Sequence, residues 1–65
     1  MPLIQISLRS GRSPDQLADL AARVTQATSE ALEAAPASIR VLITEVPASH
    51  WFVGGEPLEP PATGR

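Results

Sequence analysis

Apolar residues occupy every second position near the start of the chain. Ile4, Ile6 and Leu8 would share one face of a strand, while the opposite face is mixed. This alternation predicts a strand over residues 2–8 with one fully apolar face. Gly11 follows shortly afterwards and predicts a turn, because glycine tolerates positive φ angles.

The spacing then changes to that of an amphipathic helix. Ser13 is placed as the N-cap, Pro14 as the first helical residue and Gln16 as the partner in a capping box. Pro36 cannot continue a helix, so we predict a helix from residue 14 to residue 32 or 33. Its predicted packing stripe recurs at helical spacing and comprises Leu17, Leu20, Ala21, Val24, Ala27, Thr28, Ala31 and Leu32.

A second alternating segment follows the helix. Ile39, Val41 and Ile43 would lie on one face of a strand over residues 39–46. A strand, a helix and a strand in this order predict a β-α-β unit of the α/β (α+β) class, with parallel strands and a right-handed crossover. Two strands and one helix cannot enclose a core, so we expect the sheets of several subunits to associate.

The C-terminal part of the chain is rich in glycine and proline. Gly54 and Gly55 predict a turn, and residues 50–53 before it would form one half of a small hairpin. From about residue 57 to residue 65 prolines recur, which predicts an extended or flexible tail. We interpret the whole chain, residues 1–65, as one domain.

Composition limits how such a domain can be stabilised. With 65 residues, 43% apolar residues and no cysteine, the chain is near the size at which a single core becomes marginal, and disulfides cannot supplement that core. A single histidine and no cysteine predict no metal site, and we expect no organic cofactor. Oligomerisation is the remaining route to stability.

Charge and hydropathy narrow the classes of partner. The formal net charge of −2 gives no reason to expect nucleic acid as a partner. No basic segment precedes a long apolar one at the N-terminus, and no apolar stretch approaches the length of a membrane span. We therefore expect no membrane association and a cytoplasmic location.

Arginine is the only basic residue type other than histidine. The five are Arg9, Arg12, Arg23, Arg40 and Arg65. The absence of lysine excludes catalysis through a lysine Schiff base. Arginine binds carboxylates through two parallel hydrogen bonds, so clustered arginines would attract an acidic small molecule even in a slightly negative protein.

Pro2 is a second candidate for chemistry. Aminopeptidases remove an initiator methionine before small residues, and loss of Met1 would leave the Pro2 nitrogen as a secondary amine at the start of a strand. An amine held in this way can act as a base or as a nucleophile. The structural alternative is that Pro2 only marks the entry of an edge strand.

Short motifs are spaced along almost the whole chain. They are Pro2-Leu-Ile-Gln-Ile, Gly11-Arg12-Ser13, Ile39-Arg40-Val41 with Thr44-Glu45, His50-Trp51, and Gly54-Gly55. In this order and spacing, from Pro2 to about Glu56, the chain resembles the 4-oxalocrotonate tautomerase family.

The resemblance implies an isomerase. It would be a cofactor-independent tautomerase that interconverts the enol and keto forms of 2-oxo acids, including dicarboxylates, as in the catabolism of aromatic compounds. Pro2 would be the general base. Arg12 would bind the distal carboxylate, and Arg40 would bind the carboxylate beside the carbonyl and polarise that carbonyl. Trp51 would wall the pocket at a position that is usually phenylalanine.

The resemblance also implies a β-α-β subunit with a C-terminal hairpin. Short members of the family assemble as hexamers, trimers of dimers, and the side chains of one active site come from different subunits. We therefore expect a homo-oligomer of this kind, with a hetero-oligomer as the alternative.

Physical chemistry supports Pro2 as a base. An α-amino group has an unperturbed pKa of about 8. Desolvation by an aromatic wall and nearby guanidinium charges would both lower the pKa of the amine, which suits proton abstraction next to a carbonyl near neutral pH. Arg40 could stabilise the developing enolate.

Two positions depart from the family pattern. Trp51 is larger than the usual phenylalanine and should reshape the pocket. Arg9 stands where tautomerases usually have an aliphatic residue, and the Arg9/Arg12 pair resembles the α-subunit of trans-3-chloroacrylic acid dehalogenase, in which both arginines bind the substrate carboxylate. That enzyme also uses a glutamate to activate water, and the matching position here is Val53.

Two alternative functions therefore stand beside the tautomerase. A haloacrylate dehalogenase or hydratase would use Arg9 as a further substrate-binding residue. A subunit of a hetero-oligomer with little activity of its own would leave Pro2 inert, as would retention of Met1.

Overall fold

The chain forms a strand, a long helix, a second strand and a short hairpin. The computed structural model describes residues 1–59. The elements are β1 (Leu3–Arg9), α1 (Pro14–Leu32), β2 (Arg40–Val46), β3 (Phe52–Val53) and β4 (Glu56–Pro57). Both long strands begin one residue later than predicted. Single 3₁₀ turns before β2 and before β3, over 36–38 and 48–50, were not predicted.

The two long strands are parallel neighbours, as the sequence predicts. Their register sets Leu3 opposite Arg40 and Arg9 opposite Val46. The Arg40 N–H donates to the Pro2 carbonyl over 3.0 Å, and the Ser10 N–H donates to the Val46 carbonyl over 2.9 Å. Hydrogen bonds between the two strands therefore continue one residue beyond each end of the pair. The prediction of a β-α-β unit with parallel strands is confirmed.

The helix begins and ends as its sequence signals indicate. The Ser13 Oγ accepts from the Gln16 N–H over 3.1 Å, and the Gln16 Oε1 accepts from the Ser13 N–H over 3.0 Å, which completes the capping box. At the other end Glu33 adopts a left-handed conformation with φ 55° and donates its N–H to the Ser29 carbonyl. The predicted extent of the helix is confirmed.

One face of the sheet is covered by α1 and the other is bare. Ile39, at 8% exposure, is the only buried residue of the chain from 1 to 59. On the bare face Leu3 and Leu42 are 55% and 53% exposed. A single chain thus buries almost no apolar core, and more than half of each of these two leucines stays in water.

The predicted packing stripe of the helix is correct only in its first part. Leu17, Leu20, Ala21, Val24 and Thr28 are half-buried. The remaining predicted members are exposed, namely Ala27, Ala31 and Leu32. Thr25 and Ser29 are half-buried instead, so the packed face of α1 passes through these positions and Ala27 and Ala31 lie beside it.

A two-residue turn closes the C-terminal hairpin. Gly54 and Gly55 have φ of 61° and 87°, the signs that a tight hairpin turn requires and that glycine allows. Strands β3 and β4 pair antiparallel on either side of this turn, which confirms the predicted hairpin.

The hairpin also contains the start of the predicted tail. Pro57 lies in β4, and the Leu58 N–H donates to the Trp51 carbonyl over 2.9 Å. The segment predicted to be extended or flexible therefore begins as an extended strand at Pro57, and the Leu58 and Glu59 N–H groups are hydrogen-bonded to the preceding segment. The rest of that prediction lies outside the described residues.

The helices of the described residues were compared with the length and apolar character of a membrane span. Among residues 1–59 none combines the length and the apolar character that a transmembrane helix needs.

The capping box gives a first test of the fold. Replacing Ser13 with alanine removes the acceptor for the Gln16 N–H, and we expect the free energy of unfolding to fall by about 0.5–2 kcal/mol. Urea denaturation at one fixed protein concentration measures this loss, because the stability of an oligomer depends on concentration. Ser10→Ala is the matched control, since the Ser10 side chain makes no hydrogen bond within residues 1–59. Equal losses in both variants would contradict the role of the cap.

Candidate active site

Pro2 and Arg40 lie side by side at one end of the sheet. They are neighbours because parallel strands begin at the same edge, and the hydrogen bond from the Arg40 N–H to the Pro2 carbonyl fixes their backbones. Pro2 is half-buried, and Arg40 is exposed. The Pro2 nitrogen is an amide while Met1 is attached, and an amide nitrogen is not basic.

The Arg40 side chain is held loosely in place. Its Nη1 donates to the Ala37 carbonyl over 3.2 Å, in the 3₁₀ turn that precedes β2. A guanidinium has several N–H donors, so this contact leaves others for a ligand. Arg40 and Glu45 lie on opposite faces of β2, and no ion pair joins them.

Arg12 lines a groove at the other end of the sheet. It follows the turn at Gly11, whose φ of 125° is in the region that favours glycine. The groove has a volume of about 340 Å³ and is lined by Leu8, Arg12, Gln16, Leu17, Asp19, Leu20 and Arg23. Asp19 accepts from Arg23 over 3.0 Å, whereas Arg12 makes no ion pair with any residue from 1 to 59. Arg12 is thus the cation of this groove that can accept an anionic ligand.

Arg9 is engaged by an acidic residue from the C-terminal segment. Its Nη2 lies 3.5 Å from the Glu59 Oε1, and the two side chains are 50% and 64% exposed. This ion pair is intramolecular. The sequence contained no signal for it, because the partners are far apart in the chain and no local pattern connects them.

Trp51 follows the 3₁₀ turn that ends at His50. It is half-buried, and its carbonyl accepts the Leu58 N–H of the hairpin. The turn and the hairpin therefore hold the Trp51 backbone beyond the C-terminal end of β2.

A single chain does not bring the predicted site residues together. Pro2 and Arg40 are at the beginning of the strands. At the other end Arg9 is the last residue of β1, and Arg12 and Trp51 come after the ends of β1 and β2. The length of β1 separates the two groups by about 20 Å. A ligand that contacts both Pro2 and Arg12 would need side chains from more than one chain.

Acidic and histidine side chains do not gather into a metal site in the described structure. Between residues 1 and 59 no three of them come close enough together to hold an ion.

The family model and the similar sequences that match this chain are described as tautomerases. The family model described as tautomerase enzyme matches residues 2–60. A probable tautomerase of Ralstonia nicotianae is 48% identical over 69 residues, which cover 100% of this chain and 99% of the relative. A 2-hydroxymuconate tautomerase of Pseudomonas putida is 42% identical over 57 residues, covering 88% of this chain and 90% of that protein.

Solved structures agree with the sequence relatives. TomN, a 4-oxalocrotonate tautomerase homologue of the tomaymycin biosynthetic pathway, superposes with a TM-score of 0.85 at 40% identity and 88% coverage of each chain. A heterohexamer 4-oxalocrotonate tautomerase from Chloroflexus aurantiacus gives a TM-score of 0.84 at 40% identity, covering 89% of this chain and 94% of that one. With the family model and the 2-hydroxymuconate tautomerases, these matches show that the chain is an isomerase of the 4-oxalocrotonate tautomerase family.

Proposed function

We propose that this tautomerase interconverts the enol and keto forms of a dicarboxylic 2-oxo acid, with Pro2 as the general base once Met1 has been removed. The adjacency of Pro2 and Arg40 at the start of two parallel strands carries the proposal. It places the residue that would carry the terminal amine next to an arginine on the neighbouring strand. A base and a cation together are what proton transfer next to a carbonyl requires.

The reaction needs only proton transfers. The Pro2 amine takes the proton from the enol hydroxyl, and the electron pair of the O–H bond becomes part of the new carbonyl. The electron pairs of the conjugated double bonds shift along the chain, and the pair displaced onto a carbon atom takes a proton from the resulting ammonium to form the new C–H bond, which restores the free amine. Arg40 donates hydrogen bonds to the oxygen on which negative charge develops, so its contribution is greatest in the transition state.

Arg12 supplies the second anchor of the substrate. Its guanidinium lines the groove without an ion-pair partner in residues 1–59, and it would bind the carboxylate far from the reacting carbonyl. The Leu8 and Leu20 side chains of the same groove offer apolar contact to the carbon chain between the two carboxylates. Trp51 closes the pocket and excludes water from it.

The complete site forms between subunits of an oligomer. Two observations support this. Pro2 and Arg12 lie beyond opposite ends of β1, which is about 20 Å long, and Leu3 and Leu42 of the bare sheet face are exposed. Burying that face against other copies would stabilise the fold and would bring the Arg12 of one chain to the Pro2 of another. We propose a homohexamer, and association with a second related chain is the alternative that the heterohexameric homologue suggests.

The substrate we propose is 2-hydroxymuconate. Relatives named for this compound are 42% and 45% identical to the chain over 88% and 86% of its length. Two carboxylates at the ends of a short conjugated chain match one arginine beside the base and another in the groove. Hydration of a haloacrylate is less well supported, because Val53 has no group that could activate water and Arg9 is engaged by Glu59.

The first prediction concerns the base. Pro2→Ala should lower kcat for ketonisation of 2-hydroxymuconate by about 100- to 10000-fold, because the remaining amine is primary and no longer fixed by a ring. Ultraviolet absorbance follows the enol, and sedimentation should show an unchanged oligomer. Intact mass of the native protein must first show that Met1 is absent. A native protein lacking Met1 that is no faster than buffer would refute the proposal.

The second prediction concerns Arg40. Arg40→Ala should lower kcat by about 100- to 1000-fold while KM changes much less, because the lost donor acts mainly in the transition state. Gln26→Ala is the control, since it shortens a polar side chain on the exposed surface of the helix that does not line the groove. A raised KM with unchanged kcat would instead assign Arg40 to ground-state binding.

The third prediction separates substrate classes through Arg12. Arg12→Ala should lower kcat/KM for 2-hydroxymuconate by about 10- to 100-fold, the value of a hydrogen bond between charged groups. The enol of phenylpyruvate has no distal carboxylate, so its kcat/KM should stay nearly unchanged. An equal fall in kcat/KM with both substrates would show that Arg12 does not bind the distal carboxylate.

A further inference from the structure

Residues 47–59 form a segment that is closed by its own hydrogen bonds, and we call it the C-terminal arm. The Leu58 N–H donates to the Trp51 carbonyl over 2.9 Å, and the Glu59 N–H donates to the Ala48 carbonyl over 3.4 Å. Between these bonds β3 and β4 pair across the glycine turn. The first turn of the arm is thus bonded to its last described residue, so the arm can change its orientation as one piece.

Only one polar contact joins the arm to the rest of the described structure. It is the ion pair between Arg9 and Glu59, whose Nη2 and Oε1 atoms are 3.5 Å apart. Among residues 1–59 every other hydrogen bond or ion pair lies either within residues 1–46 or within the arm. Apart from this ion pair, no polar contact therefore sets the angle between the arm and the sheet.

The ion pair lies beside the peptide link through which the chain enters the arm. Arg9 ends β1 and stands opposite Val46, the last residue of β2. The arm begins at Pro47, directly after Val46, and Glu59 brings its far end back to Arg9. The proline ring fixes the φ angle of Pro47, which is −59°, but rotation about the neighbouring single bonds would swing the arm about the strand end. A second attachment opposes that rotation.

We propose that the Arg9–Glu59 ion pair is a latch that fixes the orientation of the C-terminal arm on the sheet, and with it the position of Trp51. Arg9 and Glu59 are thus positioning residues, and neither touches a reacting atom. Arg9 shares its face of β1 with Leu3, because alternate residues of a strand lie on one face, so the arm is tied on the side of the bare sheet face. The effect of the latch on catalysis rests on the proposed function, in which Trp51 closes the pocket.

The latch is weak and sensitive to salt. The Arg9 and Glu59 side chains are 50% and 64% exposed, and such an ion pair shifts an equilibrium by about two- to five-fold. That factor changes the share of molecules whose arm has swung away without unfolding the subunit. Raising the ionic strength from about 0.1 M to about 1 M shortens the Debye length from about 10 Å to about 3 Å, so high salt should weaken the latch.

Acrylamide quenching of Trp51 fluorescence in the intact oligomer tests the proposal. Trp51 is the only tryptophan and is half-buried, and acrylamide carries no charge that salt could screen. We expect Glu59→Gln to raise the freely quenched fraction of the fluorescence by about two- to five-fold. High salt should move the native protein towards the same value and leave Glu59→Gln unchanged.

Glu56→Gln is the matched control for this measurement. It makes the same charge change on the same hairpin, and Glu56 has no ion pair within residues 1–59. Its quenched fraction should equal that of the native protein. An equal rise in Glu56→Gln and Glu59→Gln would show an effect of net charge and would overturn the latch.

A double-mutant cycle separates the ion pair from a general structural effect. In an Arg9→Gln background Glu59→Gln should change nothing further, because its partner is already gone. The charge-swapped variant Arg9→Glu, Glu59→Arg should restore the native quenching, and sedimentation limits the comparison to variants that keep the native oligomer. An unchanged fraction in Glu59→Gln, an effect that persists without Arg9, or a charge-swapped oligomer no closer to native than its single changes would each overturn the proposal.

Failure of the proposed function gives a different pattern. Quenching needs no turnover, so the effect of Glu59→Gln should be the same in a Pro2→Ala background. With Trp51 closing the pocket, Glu59→Gln should also lower kcat/KM for 2-hydroxymuconate by about two- to five-fold. A native kcat/KM beside a raised quenched fraction would refute the role of Trp51 in the proposed function and would support the latch alone.

Discussion

The structure depends on the inability of one chain to bury its own apolar surface. A single helix covers one face of a two-stranded sheet, and Ile39 is the one residue of the described part that is buried. A domain this small normally needs disulfides, a metal or oligomerisation, and the chain contains no cysteine. The bare sheet face, with Leu3 and Leu42 exposed, is therefore the surface that association with other chains would cover in our proposal.

The same constraint links stability to function in our proposal. Parallel pairing sets Pro2 and Arg40 at one end of the sheet and sends Arg9 and Arg12 to the other. If association covers the bare face, it can also bring opposite strand ends of different chains together. A site divided in this way is present only in the folded oligomer, so the reactive amine and the carboxylate-binding arginines meet only there.

The fold was largely predictable because its signals are local. The capping box at Ser13, the glycine turn of the hairpin and the alternating strands all act within a few residues, and each was found where the sequence indicated. The exposed end of the helix stripe, at Ala31 and Leu32, was not predictable in the same way. Helical spacing shows which residues share a face, but not which edge of that face turns towards the sheet: Thr25 and Ser29 are half-buried in place of Ala27 and Ala31.

For the candidate site, the sequence by itself determined which side chains are available: a proline that can carry a terminal amine, arginines in place of lysines, and one tryptophan. Only the tertiary structure decided their arrangement. It separated Pro2 from Arg12 along the length of β1 and set Glu59 against Arg9. The physical reason is that caps, turns and strand alternation depend on residues that are close together in the chain. Contacts between distant segments arise only when the sheet, helix and hairpin pack.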